Sequence, residues 1–244
     1  MRLVNKIIAI PGCGGGMGTA AARLFASEGA RLVLVARREP PLQAIAELAR
    51  SDGGQAVVCT ADTATEAGCT AMVEAAVREF GRLDVVYCNM GDFAYGDLET
   101  HQTSPEAWDY LIGLNLRAHF LSARAAIPQM LRQDPPGGVL IHVAASADVL
   151  REANPGYSAA KAGLIEFVRR AARQYRNRNI RVHCICPGAI GGDPPPVGPV
   201  ETLPPELDRD AKSLDVAYAG LCLASDESSW TTGLVVPVEG GRRL

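Results

Sequence analysis

Residues 6–21 read KIIAIPGCGGGMGTAA, and the fold class turns on this stretch. Lys6–Pro11 is a short apolar run of the kind that forms a strand buried on both faces. It ends in Gly12-xxx-Gly16-Met17-Gly18, with Gly14 and Gly15 as additional glycines. Glycine permits positive φ and lets a ligand approach the main chain closely. Thr19–Glu28 then has helix length, with Leu24 and Phe25 as its apolar residues. A glycine turn between a strand and a helix offers unpaired N–H groups and a positive dipole end to an anion, so this is a phosphate-binding turn.

The same alternation continues along the chain. Further strands are expected at Arg31–Ala36, Gln55–Thr60, Val85–Asn89, Gly138–Ala144, Arg181–Cys186 and Leu234–Val238. Helices are expected at Glu66–Phe80, Pro105–Arg132 and Tyr157–Arg176. In the last of these, Leu164, Phe167, Val168 and Ala171 share one face, and Pro155-Gly156 marks the boundary before it. Seven strands alternating with helices predict a doubly wound α/β parallel sheet, the Rossmann fold, with helices on both faces. The chain reads as a single domain, 1–244. A Pro-rich surface loop at about 191–212 interrupts the alternation and is the expected substrate wall.

Composition narrows the function. With 244 residues, 48% hydrophobic content and a net charge of −3, the chain can bury a large core and has no basic excess for nucleic acid. No apolar run has the roughly 18 residues of a membrane span. The start, MRLVNKIIAIPG, lacks the apolar region and cleavage site of a signal peptide, so a cytoplasmic protein is expected. Seven cysteines form no CxxC pair. They read as small core residues in a reducing compartment, and no metal site is predicted. The second strand ends in Ala36-Arg37-Arg38, where dinucleotide folds commonly carry an acid for the ribose 2′-OH. Guanidinium groups there suit a 2′-phosphate, which favours NADP(H) while leaving NAD(H) possible.

Residues 142–163, HVAASADVLREANPGYSAAKAG, place Tyr157 and Lys161 one helical turn apart. Together with the glycine turn, this makes the chain resemble the short-chain dehydrogenase/reductase family over nearly its whole length. The family's TGxxxGxG motif appears as Pro11-Gly12-xxx-Gly16-Met17-Gly18, and its adenine-contacting acid as Asp62 in CTADT, followed by Thr63. Its NNAG motif appears as Cys88-Asn89-Met90-Gly91, its helix asparagine as Asn115, and its PG turn as Pro187-Gly188, with Ile190 just beyond. The closing signature reads LASDESSWTTGLVVPVEGG, with Glu239 in place of Asp.

The resemblance implies that Tyr157 is the acid/base and that Lys161 binds the nicotinamide ribose and lowers the tyrosine pKa. Asn115 holds a relay water. Gly12, Gly15, Gly16, Met17, Gly18, Arg37, Arg38, Asp62, Thr63, Asn89, Gly91, Pro187, Gly188 and Ile190 join Tyr157 and Lys161 in the cofactor site. It also implies a small carbonyl or alcohol substrate and a homo-oligomer, tetramer or dimer, built on the Pro105–Arg132 and Tyr157 helices.

Three further positions near the cofactor depart from the pattern. Cys88 replaces an asparagine, Met90 a small alanine, and Gly192 the threonine that follows the PG turn. The family serine, about 13 residues before the tyrosine, falls on Ala144 or, by strand alignment, on Ala145. Ser146 is the nearest hydroxyl. Either Ser146 polarises the substrate, or the donor is absent and the chain binds cofactor as a non-redox enzyme or regulator.

Overall fold

The computed structural model describes residues 1–94, 99–191, 200 and 202–241. Its strands are β1 (Ile7–Pro11), β2 (Arg31–Ala36), β3 (Gln55–Thr60), β4 (Val85–Cys88), β5 (Gly138–Val143), β6 (Ile180–Pro187) and β7 (Val235–Val238). All pair in parallel in one sheet of order β3-β2-β1-β4-β5-β6-β7. The order reverses between β1 and β4, which opens the crevice where doubly wound sheets bind ligands.

Alternate strand residues feed two cores. Ile8, Ile10, Leu32 and Leu34 pack with Phe25, Leu42 and Val216. Those partners lie on α1 (Gly16–Ser27), α2 (Glu39–Ser51) and α8 (Ser213–Ala224). Ile7, Ala9, Val33 and Val35 face the other way, toward Met72, Ala123 and Leu164. These come from α3 (Glu66–Phe80), α5 (Ala118–Arg132) and α7 (Pro155–Tyr175). This two-sided burial explains the near-continuous apolar strands.

The helices differ from expectation in three ways. The single helix expected over Pro105–Arg132 is α4 (Pro105–Ile112), a π-helical turn over Gly113–Arg117, and then α5. α7 begins at Pro155 rather than Tyr157, because proline at the first helical position gives up an N–H that has no intrahelical partner. Asn154 caps it, its Oδ1 accepting from Gly156 N at 2.8 Å. Three helices were not anticipated in the sequence: α2, α6 (Ala147–Glu152) and α8, the last lying beyond the Pro-rich loop. In α2, Leu42, Ile45, Ala46 and Ala49 form an i, i+3, i+4, i+7 stripe. Helix α6 is too short to show any period.

Candidate active site

The glycine turn is shaped by close main-chain approach on one side and left bare on the other. Gly12 has φ +81°, and a Cβ there would lie 2.7 Å from Met90 N. A Cβ on Gly18 would lie 2.8 Å from Cys13 Cα. Gly15, by contrast, has nothing within 4 Å of its Cβ position. It caps α1 without a side-chain hydrogen bond, and the first turn carries no acid. The N–H groups at this helix start are therefore available to an anion.

A cavity of about 390 Å³ opens from this turn. Gly12, Gly15, Gly16 and Met17 form its floor, Arg37 and Arg38 one wall, and Asp62, Thr63, Asn89 and Gly91 the far side. Ten of the expected cofactor residues are thus brought together. Both arginines are exposed, with no carboxylate paired to them among the described residues. Asn89 pins β4 to the turn, its N–H donating to Pro11 O and its Nδ2 to Gly12 O at 3.1 Å. Asn89 Oδ1 is buried and accepts no hydrogen bond among the described residues. A bare helix start, paired guanidiniums and a buried acceptor fit a dinucleotide: pyrophosphate at the turn, adenosine toward Arg37 and Asp62.

Farther along the crevice, α7 presents Tyr157 and Lys161. Lys161 is buried, and its ammonium donates to Val143 O at 2.8 Å and Met90 O at 3.1 Å. Burial brings its pKa down to about 8. Gly91 lies against this group; a Cβ there would meet Lys161 Nζ and Asn115 Oδ1, each at 3.2 Å. Tyr157 is half-buried, with the Phe93 ring edge-on at 4.8 Å and Lys161 Nζ 5.9 Å from its ring centre. Burial pushes the phenol up to about 12, opposite to the lowering that the resemblance implies. The lysine N–H groups reach main-chain carbonyls, and Tyr157 Oη has no hydrogen-bond partner among the described residues.

Asn115 sits in the π-helical turn, fully buried. Its Nδ2 donates to Leu111 O and Asp92 O, and its Oδ1 accepts from Asp92 N at 3.2 Å. Tyr110 Oη in turn donates to Asp92 Oδ2 at 2.6 Å. Asp92, Tyr110 and Phe93 therefore belong to the site, although sequence reading missed them. The one available signal was their position directly after Gly91 or one turn before Asn115.

Ser146 is buried at the start of α6. Its Oγ accepts from Val149 N at 3.5 Å, and its N–H donates to Pro187 O at 2.8 Å. With Gly188 and Glu239 it lines a second cavity of about 530 Å³ at the ends of β5, β6 and β7. Gly188 donates to Val238 O. Ile190 packs on the core beside α8. Ala144 and Ala145 fill the strand end, both buried. Of the Pro-rich loop, 192–199 and 201, including Gly192, lie outside the described residues. Its later part is tied to α8 by the Arg209 guanidinium, which forks onto Asp215 at 2.6 and 2.9 Å.

Residues 12–243 match the family model described as enoyl-(acyl carrier protein) reductase. The chain is 31% identical to an uncharacterized oxidoreductase of Thermotoga maritima, over 99% of this chain and 98% of that protein. It is 32% identical to a 3-oxoacyl-[acyl-carrier-protein] reductase of the same organism, over 99% of each. A crystal structure assigned to the short-chain dehydrogenase/reductases, from Burkholderia xenovorans, matches with a TM-score of 0.86 at 30% identity, over 98% of this chain and 97% of that one. With the sheet order and the Tyr157–Lys161 helix, these likenesses make the chain a member of the short-chain dehydrogenase/reductase family of oxidoreductases, whose cofactor is a nicotinamide dinucleotide.

Proposed function

We propose that the protein is an NADP(H)-dependent oxidoreductase interconverting a small carbonyl compound and a secondary alcohol, with Tyr157 as acid/base. The observation carrying the cofactor choice is the wall formed by Arg37 and Arg38 beside the bare glycine turn, with Ala36 where an acid would repel a 2′-phosphate. The dinucleotide, when bound, supplies or accepts the hydride. Tyr157 holds its proton at neutral pH, which suits the donor role: it protonates the substrate oxygen as charge develops there. Lys161, fixed by the Val143 and Met90 carbonyls, would offer its positive charge to the ribose of a bound dinucleotide. Asn115, clamped by Asp92, keeps the chain around Gly91 in place. Ser146 is the polarising donor in this reading: its Oγ accepts at the cap, and no acceptor among the described residues takes its hydrogen.

Titration of the protein's fluorescence with NADPH and with NADH tests the cofactor reading. At least about tenfold tighter NADPH is expected. Equal affinity or tighter NADH overturns it.

The protein's free thiols suit a reducing compartment, and we place it in the cytoplasm. Exposed Trp108 and Phe120, on the α4–α5 arm, suit burial against a second copy in a dimer or tetramer. Light scattering returning the 25.8 kDa monomer at micromolar concentration overturns that part. A second reading is a cofactor-binding protein with a non-redox or regulatory role. It is favoured by Ser146 serving as a helix cap while Ala144 and Ala145 occupy the strand end.

A further inference from the structure

Below Lys161, the sheet face covered by α3, α5 and α7 carries an unusual row. Strand register sets Cys88 of β4 opposite His142 of β5. His119 descends onto them from α5. All three are fully buried, and the Cys88 sulfur and one nitrogen of each ring lie within 4.8 Å of one another. His119 Nδ1 is 3.1 Å from His142 Nδ1, and His119 Nε2 is 2.8 Å from Met90 O. A carbonyl only accepts, so His119 carries its hydrogen on Nε2 and its Nδ1 is a bare lone pair. His142 must then donate from Nδ1, which leaves its buried Nε2 without a partner.

Hydrophobic packing does not explain this choice of side chains, since two imidazoles and a thiol replace apolar groups at a cost in desolvation. A ligand imidazole whose distal N–H is anchored on a main-chain carbonyl is the usual second layer of a metal site. His119 has that anchor in Met90 O.

We propose that Cys88, His119 and His142 form a binding site for a monovalent, thiophilic d10 cation of the copper(I) type. The donors are one sulfur and two nitrogens with no carboxylate, a set selective for soft ions. Charge favours the monovalent ion. One thiolate neutralises it, whereas a divalent ion would leave net positive charge in a dry core close to the Lys161 ammonium. Binding breaks the Cys88 S–H bond, forms an S–Cu bond and releases one proton to solvent, with copper remaining Cu(I). His142 shifts its hydrogen from Nδ1 to Nε2, freeing Nδ1 as a ligand. With bonds of about 2.0 Å to nitrogen, as at zinc, a trigonal ion holds its two nitrogens roughly 3.5 Å apart. From the observed 3.1 Å, binding breaks the hydrogen bond between the rings, turns them so that both lone pairs converge, and draws in the Cys88 sulfur, which starts within 4.8 Å.

The test is anaerobic titration of the reduced protein with copper(I) against the chelator bicinchoninate, followed by X-ray absorption. One equivalent should be withdrawn, with one sulfur and two nitrogens around the metal and one proton released. Cys88→Ala, Cys88→Ser and His142→Leu should each weaken binding by at least about 100-fold, more than loss of an outer-layer partner costs. Circular dichroism identifies which of these variants are folded. Cys184→Ala and Cys222→Ala should leave binding unchanged. Failure to withdraw copper from the chelator overturns the proposal. So does a two-sulfur environment that survives Cys88→Ser and is lost in Cys184→Ala, since Cys184 and Cys186 sulfurs lie 3.9 Å apart.

Discussion

At the glycine-turn end of the crevice the walls are mostly main chain: Gly12 pressed against Met90, Gly15 facing open space, and a helix start without a side-chain cap. At the Tyr157 end they are individual side chains, each held by a particular partner: Lys161 by two carbonyls, Asn115 by Asp92, Ser146 by its own helix. The first end matches the family motif closely. The second carries two alanines where the pattern has a serine, and Cys88 and Met90 depart from it between the two ends. A binding surface made of backbone tolerates drift in side chains, whereas a reaction centre made of side chains can be altered one residue at a time while the cofactor cleft persists.

Tyr157→Phe is the strongest way to break this contrast. It should lower the turnover of an activated ketone by roughly 10²–10⁴-fold, measured with saturating NADPH, and leave cofactor affinity unchanged. Unchanged turnover would show that the two ends are not a binding half and a reacting half.

Lys161→Met probes the energetic side. The folded pKa of about 8 lies below the ordinary 10.5, so the unfolded chain binds the extra proton between these values. Stability therefore rises with pH across that window, and the full penalty applies below about pH 8. At 1.36 kcal/mol per pKa unit the penalty is about 3 kcal/mol, and loss of the Val143 and Met90 hydrogen bonds offsets about 2 kcal/mol of any gain. Urea unfolding should find the variant about 1 kcal/mol more stable than wild type at pH 7, with the gap closing and then reversing toward pH 10.5. A gap that is the same at both pH values refutes a buried, penalised ammonium.

Ser146→Ala sharpens the comparison within the reacting half. It should lower kcat by about 10²-fold, as loss of a transition-state donor does, and stability by about 1 kcal/mol through the lost cap. A fall in stability alone favours the non-redox reading, in which Ala145→Ser should raise activity on an activated ketone. The mildest expected effect is that of Arg37→Asp, which should remove most of a tenfold preference for NADPH over NADH in paired titrations. A preference left intact would move cofactor choice away from the arginine wall.

How much could be read from the sequence follows the same division. Strand positions were legible because two-sided burial writes continuous apolar runs, and Glu66–Phe80 was legible because Met72, Val73 and Ala76 recur at helical spacing and form its buried face. The ten residues of the 390 Å³ cavity were legible because turn and strand-end chemistry is local in sequence. The partners of Lys161 were not, since Met90 O and Val143 O are main-chain atoms that any residue supplies. Asp92 acts on Asn115 through its backbone as well, and its carboxylate reaches Tyr110 only after the chain has folded. The His119–His142 pair joins residues 23 positions apart on a helix and a strand, with no motif linking them.

The π-helical turn over Gly113–Arg117 has a consequence in helix phase. Each residue added to or removed from a helix rotates everything beyond it by about 100°. The wide turn allows Leu111 to pack on Gly156 of α7 and Asn115 to reach Asp92 while Ala118, Leu121 and Ser122 are buried on a separate schedule. Deleting one residue here to restore a regular helix would aim Asn115 correctly only by turning the buried face of α5 toward solvent. The turn therefore works as a clutch between two rotational settings, and a length change within 113–117 is worse tolerated than a substitution at the same positions.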